Sequence, residues 1–386
     1  MKSEAKNISS NPGLYLHIPF CERKCGYCDF YSVTALSRKS LFVQMLIAEI
    51  KLTAESISRE NIFDTVYFGG GTPSLLTPGE LESILRTLRL GFNFASDCEI
   101  TLEVNPGTVV ESYLREYRTL GINRLSIGIQ SFNDHELKLL ERIHSAEEAL
   151  RTFDVARTAG FENIAIDLIY ALPGQTAADW QRSMQKAIAL NPEHISAYNL
   201  IFEEGTPFYS RKEKGLLKPK GETEELNFFL LTNEFLGDHG YQAYEVSNYA
   251  CDPRFFSRHN YKYWRHVPYL GFGPSAHSFW QGERRANVRS LLQYLSFLQK
   301  GKLPVGFRET IDDKTEEFEH IFLRLRTYEG LHTDYFKQRF GRSFFDSYRS
   351  IIDLLLSAEY ARWEAPFFRL TKKGMAVCDE ILPLFS

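Results

Sequence analysis

At 386 residues, with 44% hydrophobic and 24% charged residues, the chain has the make-up of an ordinary folded protein, long enough for a domain of about 250 residues plus a smaller one. Its formal net charge of −4 offers no bulk attraction to phosphate backbones or anionic membranes, which sets nucleic acid aside as the default partner. The polar lead from Met1 to Asn11 lacks the apolar core of a signal peptide, and no run of about 18 apolar residues follows, so no integral membrane segment is expected and the cytoplasm is the expected location.

The first element, Leu14-Tyr15-Leu16-His17-Ile18, reads as a buried strand. It leads directly into Cys21-Glu22-Arg23-Lys24-Cys25-Gly26-Tyr27-Cys28, which holds half of the chain's six cysteines. Pro19 and Gly26 make this stretch a loop. Three thiolates in a CxxxCxxC pattern are one ligand short of a closed zinc site and do not match the paired CxxC of zinc ribbons. A 4Fe-4S cluster held by Cys21, Cys25 and Cys28 would keep one iron open for another ligand. A zinc site completed by His17 or a distant residue, and three incidental thiols, are the competing readings. In a reducing compartment Cys98, Cys251 and Cys378 are expected as lone thiols rather than disulfides.

A helix with apolar spacing through Phe42, Met45, Leu46 and Ile50 follows, so the order is strand, polar loop, helix. The same order then recurs. Thr65 to Phe68 is a strand ending in Gly69-Gly70-Gly71-Thr72-Pro73-Ser74, before a helix from about Pro78 to Leu90. Glu99 to Val104 ends in Asn105-Pro106-Gly107, and Arg124 to Ile129 ends in Gln130-Ser131-Phe132 before two helices separated near His144. Asn163 to Ile169 ends in Leu172-Pro173-Gly174-Gln175, and His194 to Ile201 ends in Phe202-Glu203-Glu204. Six strand-helix units predict parallel strands, in a barrel or an open doubly wound sheet. The cysteines, the glycine triplet, Glu103, Gln130, Asp167 and Glu203 all fall at strand C-terminal ends, the rim where barrel enzymes assemble their sites, which favours an α/β fold with a partial (β/α)6 TIM-like barrel.

Beyond about residue 210 the character changes. A charged connection from Arg211 to Glu225 is followed by a helix around Leu226 to Leu236, a strand over Tyr241 to Val246, the aromatic segment His259-Asn260-Tyr261-Lys262-Tyr263-Trp264, and the turn Gly271 to His277. From about 313 the pattern is three helices, a hairpin near Trp363 to Leu370, and a final helix from Lys372, an order that is winged-helix-like. From Asp313 onward, 11 Lys or Arg face 12 Asp or Glu, so this α+β module lacks the basic surface that DNA binding needs. The expected division is a barrel over 1–240, a connecting strand and aromatic segment over 241–312, and the C-terminal module over 313–386.

Several of these stretches resemble one family. CxxxCxxC after the first strand, Tyr67 to Ser74, Glu103-Val104-Asn105-Pro106-Gly107, Gly121 to Phe132, and Leu172 to Thr176 are similar to the radical S-adenosylmethionine (SAM) superfamily, in its oxygen-independent coproporphyrinogen III oxidase-like group. That group has a decarboxylating oxidase branch and a haem chaperone branch. The chaperone branch is favoured because Cys28 is followed by Asp29-Phe30 rather than a further cysteine, because only about a dozen residues precede the first strand, and because His259 to Trp264 fits HNxxYW.

The resemblance implies a 4Fe-4S cluster on Cys21, Cys25 and Cys28. It also implies SAM contacts at Tyr15, Gly70, Gly71, Thr72, Glu103, Gln130, Arg142, Asp167 and Ile201, with Tyr27 packing on the cofactor. Glu103 would hold the ribose hydroxyls or the methionyl amine. Haem would be the cargo, handed to a respiratory protein, with an electron donor needed if SAM is cleaved; His259 and His277, beside aromatic and glycine-rich segments, are the candidate haem ligands. Oxidative decarboxylation of coproporphyrinogen III is the alternative activity, and a zinc-stabilised structural protein is the third class.

Overall fold

In the computed structural model residues 10–386 are described. Six strands, β1 (Gly13–Ile18), β2 (Ile62–Gly70), β3 (Asn93–Val104), β4 (Arg124–Gln130), β5 (Ile164–Tyr170) and β6 (His194–Asn199), lie side by side in chain order and all parallel. Between them run α1 (Lys39–Ala54), α2 (Pro78–Gly91), α3 (Glu111–Leu120), α4 (Asp134–Leu139), α5 (Ala146–Thr158) and α6 (Ala177–Ala189). Helix starts are written in the sequence: Thr77 with Glu80, Ser145 with Glu148 and Thr176 with Asp179 each form a reciprocal capping box that satisfies two otherwise unpaired backbone donors.

Successive strand residues point to opposite faces. Leu14 and Leu16, Val66 and Phe68, Leu125 and Ile127, and Ile166 and Leu168 face the helices and are fully buried in the main core. The other parity, from Tyr67, Glu103, Ser126, Asp167 and Ser196, faces the concave side. This separation of apolar and polar parity is what leaves a polar interior for a site.

The chain then continues through α7 (Pro207–Glu213), α8 (Glu222–Asp238), β7 (Gln242–Ala243), β8 (Asn248–Ala250), α9 (Arg258–Trp264), β9 (Tyr269–Phe272), β10 (His277–Trp280), β11 (Glu283–Asn287), α10 (Leu291–Gln299) and β12 (Val305–Thr310). These strands extend the same sheet at both edges, giving the order β12-β11-β10-β9-β1-β2-β3-β4-β5-β6-β8-β7. β9 pairs parallel to β1 and β8 antiparallel to β6, so the six-unit barrel stays open. The strand expected over Tyr241 to Val246 is only two residues long, because the chain reverses at Glu245 to Ser247 and Ala243 pairs back with Tyr249. The aromatic segment is helix α9, capped by Ser257, whose hydroxyl accepts from the Asn260 amide.

α9 closes the N-terminal end of the barrel. Lys262 Nζ sits 2.5 Å from Asp64 and donates to the Asn11 carbonyl at 2.7 Å, while Arg258 reaches Asp64 at 3.1 Å and Asp97 at 3.2 Å. A buried charge of each sign is tolerated because each has the other within contact.

The C-terminal residues form α11 (Asp313–Arg324), β13 (Leu331–His332), α12 (Thr333–Phe340), α13 (Phe344–Ser347), α14 (Arg349–Ser357), the hairpin β14 (Ala361–Glu364) and β15 (Phe367–Leu370), then α15 (Lys372–Ala376) and α16 (Cys378–Ile381). The hairpin lies where expected, but four helices rather than three precede it, with the two-residue strand β13 after the first of them, and the final helix is broken at Val377. Phe336, Phe344, Ile352 and Phe368 make a second core that Phe229 of α8 joins.

Candidate cluster and cofactor site

The cysteine loop is closed by backbone bonds at its neck. Val33 donates to the Pro19 carbonyl at 2.7 Å and Cys21 to that of Val33 at 3.1 Å. Within the loop the Gly26 carbonyl accepts from Phe208 at the start of α7 (3.0 Å), and a Cβ at Gly26 would lie 2.9 Å from the Phe208 ring, so only glycine permits this anchoring. Tyr27 packs edge-on against the same ring.

All three thiols are free and partly exposed. Thr72 Oγ1 donates to Cys21 Sγ (3.4 Å) and Arg142 Nη1 to Cys25 Sγ (3.7 Å), while burial pushes the Cys28 thiol up to about 11. His17 does not offer a fourth ligand. Its Nε2 donates to the Tyr31 carbonyl at 2.8 Å and its Nδ1 accepts from Tyr15 at 3.2 Å, and burial, partly offset by the Tyr31 contact, lowers it to about 4, keeping it neutral. Among the described residues no three His, Cys, Asp or Glu side chains converge on one point as a single metal ion requires. The donor set, three cysteine sulfurs facing one cavity, two of them already receiving side-chain hydrogen bonds, suits a sulfur-ligated cluster with one open iron.

That cavity, of about 540 Å³, opens beside the loop at the C-terminal ends of the strands. Cys21, Cys25, Tyr27 and Cys28 line one side, with Gly70, Gly71 and Thr72 after β2. Gly70 has φ 108°, and a Cβ there would meet the His17 ring at 2.6 Å, so glycine is needed for both conformation and space. A Cβ at Gly71 would lie 2.7 Å from the Phe20 carbonyl oxygen. The Gly70 amide donates to Glu103 Oε2 at 3.2 Å and Tyr67 OH donates to Oε1 at 2.9 Å. Burial raises the Glu103 carboxyl to about 7 against the pull of these two donors.

Gln130, Arg142, Asp167 and Ile201 also line the cavity. Gln130 ends β4 at φ 67°, an uncommon conformation for a residue with a side chain. Arg142 is fixed by the Gly128 carbonyl (2.9 Å) and by Asn105. Asp167 accepts from Ser126 Oγ at 3.2 Å, and burial raises its carboxyl. Ile201 is 62% exposed at the mouth, and so is Phe30, at 66%.

Tyr15 is the one expected SAM position that stands behind the lining, stacked on Tyr67 with ring centroids 6.2 Å apart. The two histidines are not brought together. His259 is buried under the barrel, with Thr65 Oγ1 2.8 Å from Nδ1 and Tyr263 OH 2.8 Å from Nε2. His277 is exposed at the start of β10. Its turn packs on the end of β1, since a Cβ at Gly273 would lie 2.4 Å from the His17 carbonyl oxygen.

Tyr67, Arg124, Ser126, Ser196, Tyr198 and Asn260 also line the cavity, and none of them is singled out as a site residue by the sequence. Period-two alternation back from Gln130 would have found Ser126 and Arg124 of β4, whereas Ser196 and Tyr198 needed the pairing of β6 with β5 that sets Ser196 beside Asp167. Asn260 needed the placement of α9.

Residues 15–187 match the family described as the Radical SAM superfamily and residues 311–377 match the HemN C-terminal domain. "Heme chaperone HemW" of Bacillus subtilis is 32% identical over 96% of this chain and 98% of that protein. The chain belongs to the HemW branch of the radical SAM superfamily. The HemW of Lactococcus lactis is 32% identical over 96% of each chain. A mitochondrial radical S-adenosyl methionine domain-containing protein 1 of Danio rerio is 30% identical over 96% of this chain and 86% of its own. The solved structure of Escherichia coli coproporphyrinogen III oxidase (HemN), 24% identical, shares the fold at a TM-score of 0.85 over 99% of this chain and 91% of its own.

Proposed function

We propose that this protein is a haem chaperone that holds a 4Fe-4S cluster on Cys21, Cys25 and Cys28, binds SAM beside it, and delivers haem to a respiratory acceptor in the cytoplasm. The observation that carries the reading is the convergence of three cysteines, Tyr27 and every expected SAM position except Tyr15 on one cavity. A bound cluster would supply an open iron for the amino-acid end of SAM and an electron for its cleavage, drawn from a separate donor. The chain's own residues do the rest. Glu103 is placed to accept from hydroxyl or ammonium donors, Gly70 and Gly71 allow close backbone approach, and Arg142 and Thr72 hold two sulfurs in place. For haem, exposed His277 is the more accessible iron ligand, whereas His259 already uses both ring nitrogens inside the fold. Phe30 at the mouth, where the oxidase branch has a further cysteine by the resemblance, favours carriage over decarboxylation.

Anaerobic reconstitution with iron and sulfide tests both halves. The expected outcome is about four iron and four sulfide per chain, lost in Cys25→Ser, with stable haem binding whose optical spectrum changes in His277→Ala. Zinc in place of iron would overturn the cluster. Catalytic conversion of coproporphyrinogen III with SAM and a reductant would overturn the chaperone reading in favour of the oxidase.

A further inference from the structure

The cavity backs onto a file of tyrosines whose hydroxyls meet bases. Tyr67, which lines the cavity, donates to Glu103 Oε1 at 2.9 Å. Tyr15 stacks on it with ring centroids 6.2 Å apart and donates to His17 Nδ1 at 3.2 Å. The His259 ring also stacks on Tyr67, at 5.2 Å, and its Nε2 lies 2.8 Å from the Tyr263 hydroxyl. Tyr263 in turn meets the half-buried Tyr269, the first residue of β9, at 4.7 Å. Contiguous rings therefore run from the cavity to the N-terminal end of the barrel, where Tyr269 pairs with Gly13.

A buried tyrosine needs a hydroxyl partner, and a backbone carbonyl would serve. Here the partners are a carboxylate and two imidazoles, groups able to take a proton, within the roughly 2.6–3.2 Å that proton transfer requires. Burial keeps the three phenols protonated at rest. Burial also holds both histidines neutral, His17 lowered to about 4 and His259 to about 3. His17 offers Nδ1 because its Nε2 donates to the Tyr31 carbonyl, and His259 offers Nε2 in the tautomer whose Nδ1 donates to Thr65.

We propose that Tyr67 is a redox-active tyrosine: a one-electron oxidant at the cavity takes an electron from its ring, its phenolic proton moves to Glu103, and Tyr15 and Tyr263 return an electron to it. The oxidant is an aromatic radical cation, the class to which a porphyrin stripped of one electron belongs. That choice rests on the reading of haem as cargo, whereas the redox site itself does not. The oxidant gains the electron and becomes closed-shell. The Tyr67 O–H bond breaks, an O–H bond forms on Glu103, and a neutral phenoxyl remains. When Tyr15 supplies the next electron, Glu103 returns its proton to Tyr67 and Tyr15 passes its own to His17. Tyr263 does the same with His259 as its proton acceptor. An oxidising equivalent is thereby drawn away from the cargo and the thiols.

The test is flash-quench photo-oxidation of the full-length, cluster-free chain carrying a ruthenium polypyridyl on Cys25, with Cys21, Cys28, Cys98 and Cys251 changed to serine and the buried Cys378 kept. At about pH 8.5, above the value of about 7 to which burial lifts Glu103, the carboxylate is ionised. A phenoxyl signal should appear with a solvent deuterium isotope effect, and most of it should be lost in Tyr67→Phe. Glu103→Gln should slow its formation by about a hundredfold and abolish the isotope effect. An undiminished signal in Tyr67→Phe overturns the proposal. If that variant does not fold, high-field electron paramagnetic resonance decides: the phenoxyl of the Glu103-containing chain should accept a hydrogen bond that Glu103→Gln removes, and a phenoxyl without one overturns the proposal. Tyr15→Phe with Tyr263→Phe should lengthen the radical's lifetime, and an unchanged lifetime overturns the return of electrons from those rings. Should the purified protein bind no haem, the cargo reading and the porphyrin oxidant fail, and the flash experiment still decides the redox site.

Discussion

Glu103 shows how surroundings set the chemistry of one side chain. It lies on the inward parity of β3, accepts from Tyr67 and Gly70, and is buried enough that its carboxyl is lifted to about 7. Below that value the group is protonated; above it, it is an anion able to accept from a ribose hydroxyl or an ammonium. SAM affinity of the wild-type protein should therefore rise with pH between about 6 and 8. Glu103→Gln should flatten this dependence and weaken binding roughly tenfold at the alkaline end, since a charge-assisted acceptor is lost. Isothermal titration at a series of pH values checks it. Glu103 was legible from its place at a strand end beside a motif. Arg124 was not, because nothing in Asn123-Arg124-Leu125 distinguishes a buried guanidinium from a surface one until the strand is paired and rotated.

At the scale of elements, α9 is the least anticipated part. His259-Asn260-Tyr261-Lys262-Tyr263-Trp264 looks like an aromatic binding patch when seen as a string. In three dimensions it is a plug in which His259 and Lys262 are spent inside the fold, His259 on Thr65 and Tyr263, Lys262 on Asp64 and Asn11, while Asn260 reaches the cavity. Lys262→Met should destabilise the fold by about 3–5 kcal/mol, because it strips the closest counter-ion from a buried carboxylate. Adding Asp64→Asn should restore part of the loss, and the coupling would appear in chemical denaturation of the single and double variants. By contrast Arg254→Ala, at an exposed pair with Asp252, should change stability by less than about 0.5 kcal/mol. The parallel helices around the core were easier, since capping boxes and apolar spacing are local and each start is marked by its own residues.

Across the whole molecule, the open barrel is completed by sequence from far away. β9, more than 250 residues after β1, becomes its parallel neighbour, and Glu49 of α1 ties that region down through the Gly273 amide (2.8 Å) and Tyr294 hydroxyl (2.6 Å). The C-terminal core reaches back as well. Phe229 of α8 is buried in it, Tyr328 donates to Asn233 at 2.9 Å, and Glu245 forms a bridge with Thr327. Removing residues 311–386 should expose these contacts and turn a monodisperse protein into an aggregating one, as judged by size-exclusion chromatography with light scattering, because an apolar face evolved for burial is left open.

By itself the sequence determined the six strand-helix units, the rim at the strand ends where the polar residues gather and the grouping of three cysteines in one loop, since alternation, capping and cysteine spacing are all short-range signals. The tertiary structure alone decided which residues share the cavity, that His17 and His259 are committed to internal hydrogen bonds, and that the sheet grows at both edges. These outcomes depend on pairing between segments far apart in the chain, where the free energy comes from burial and shared charge rather than from any local pattern.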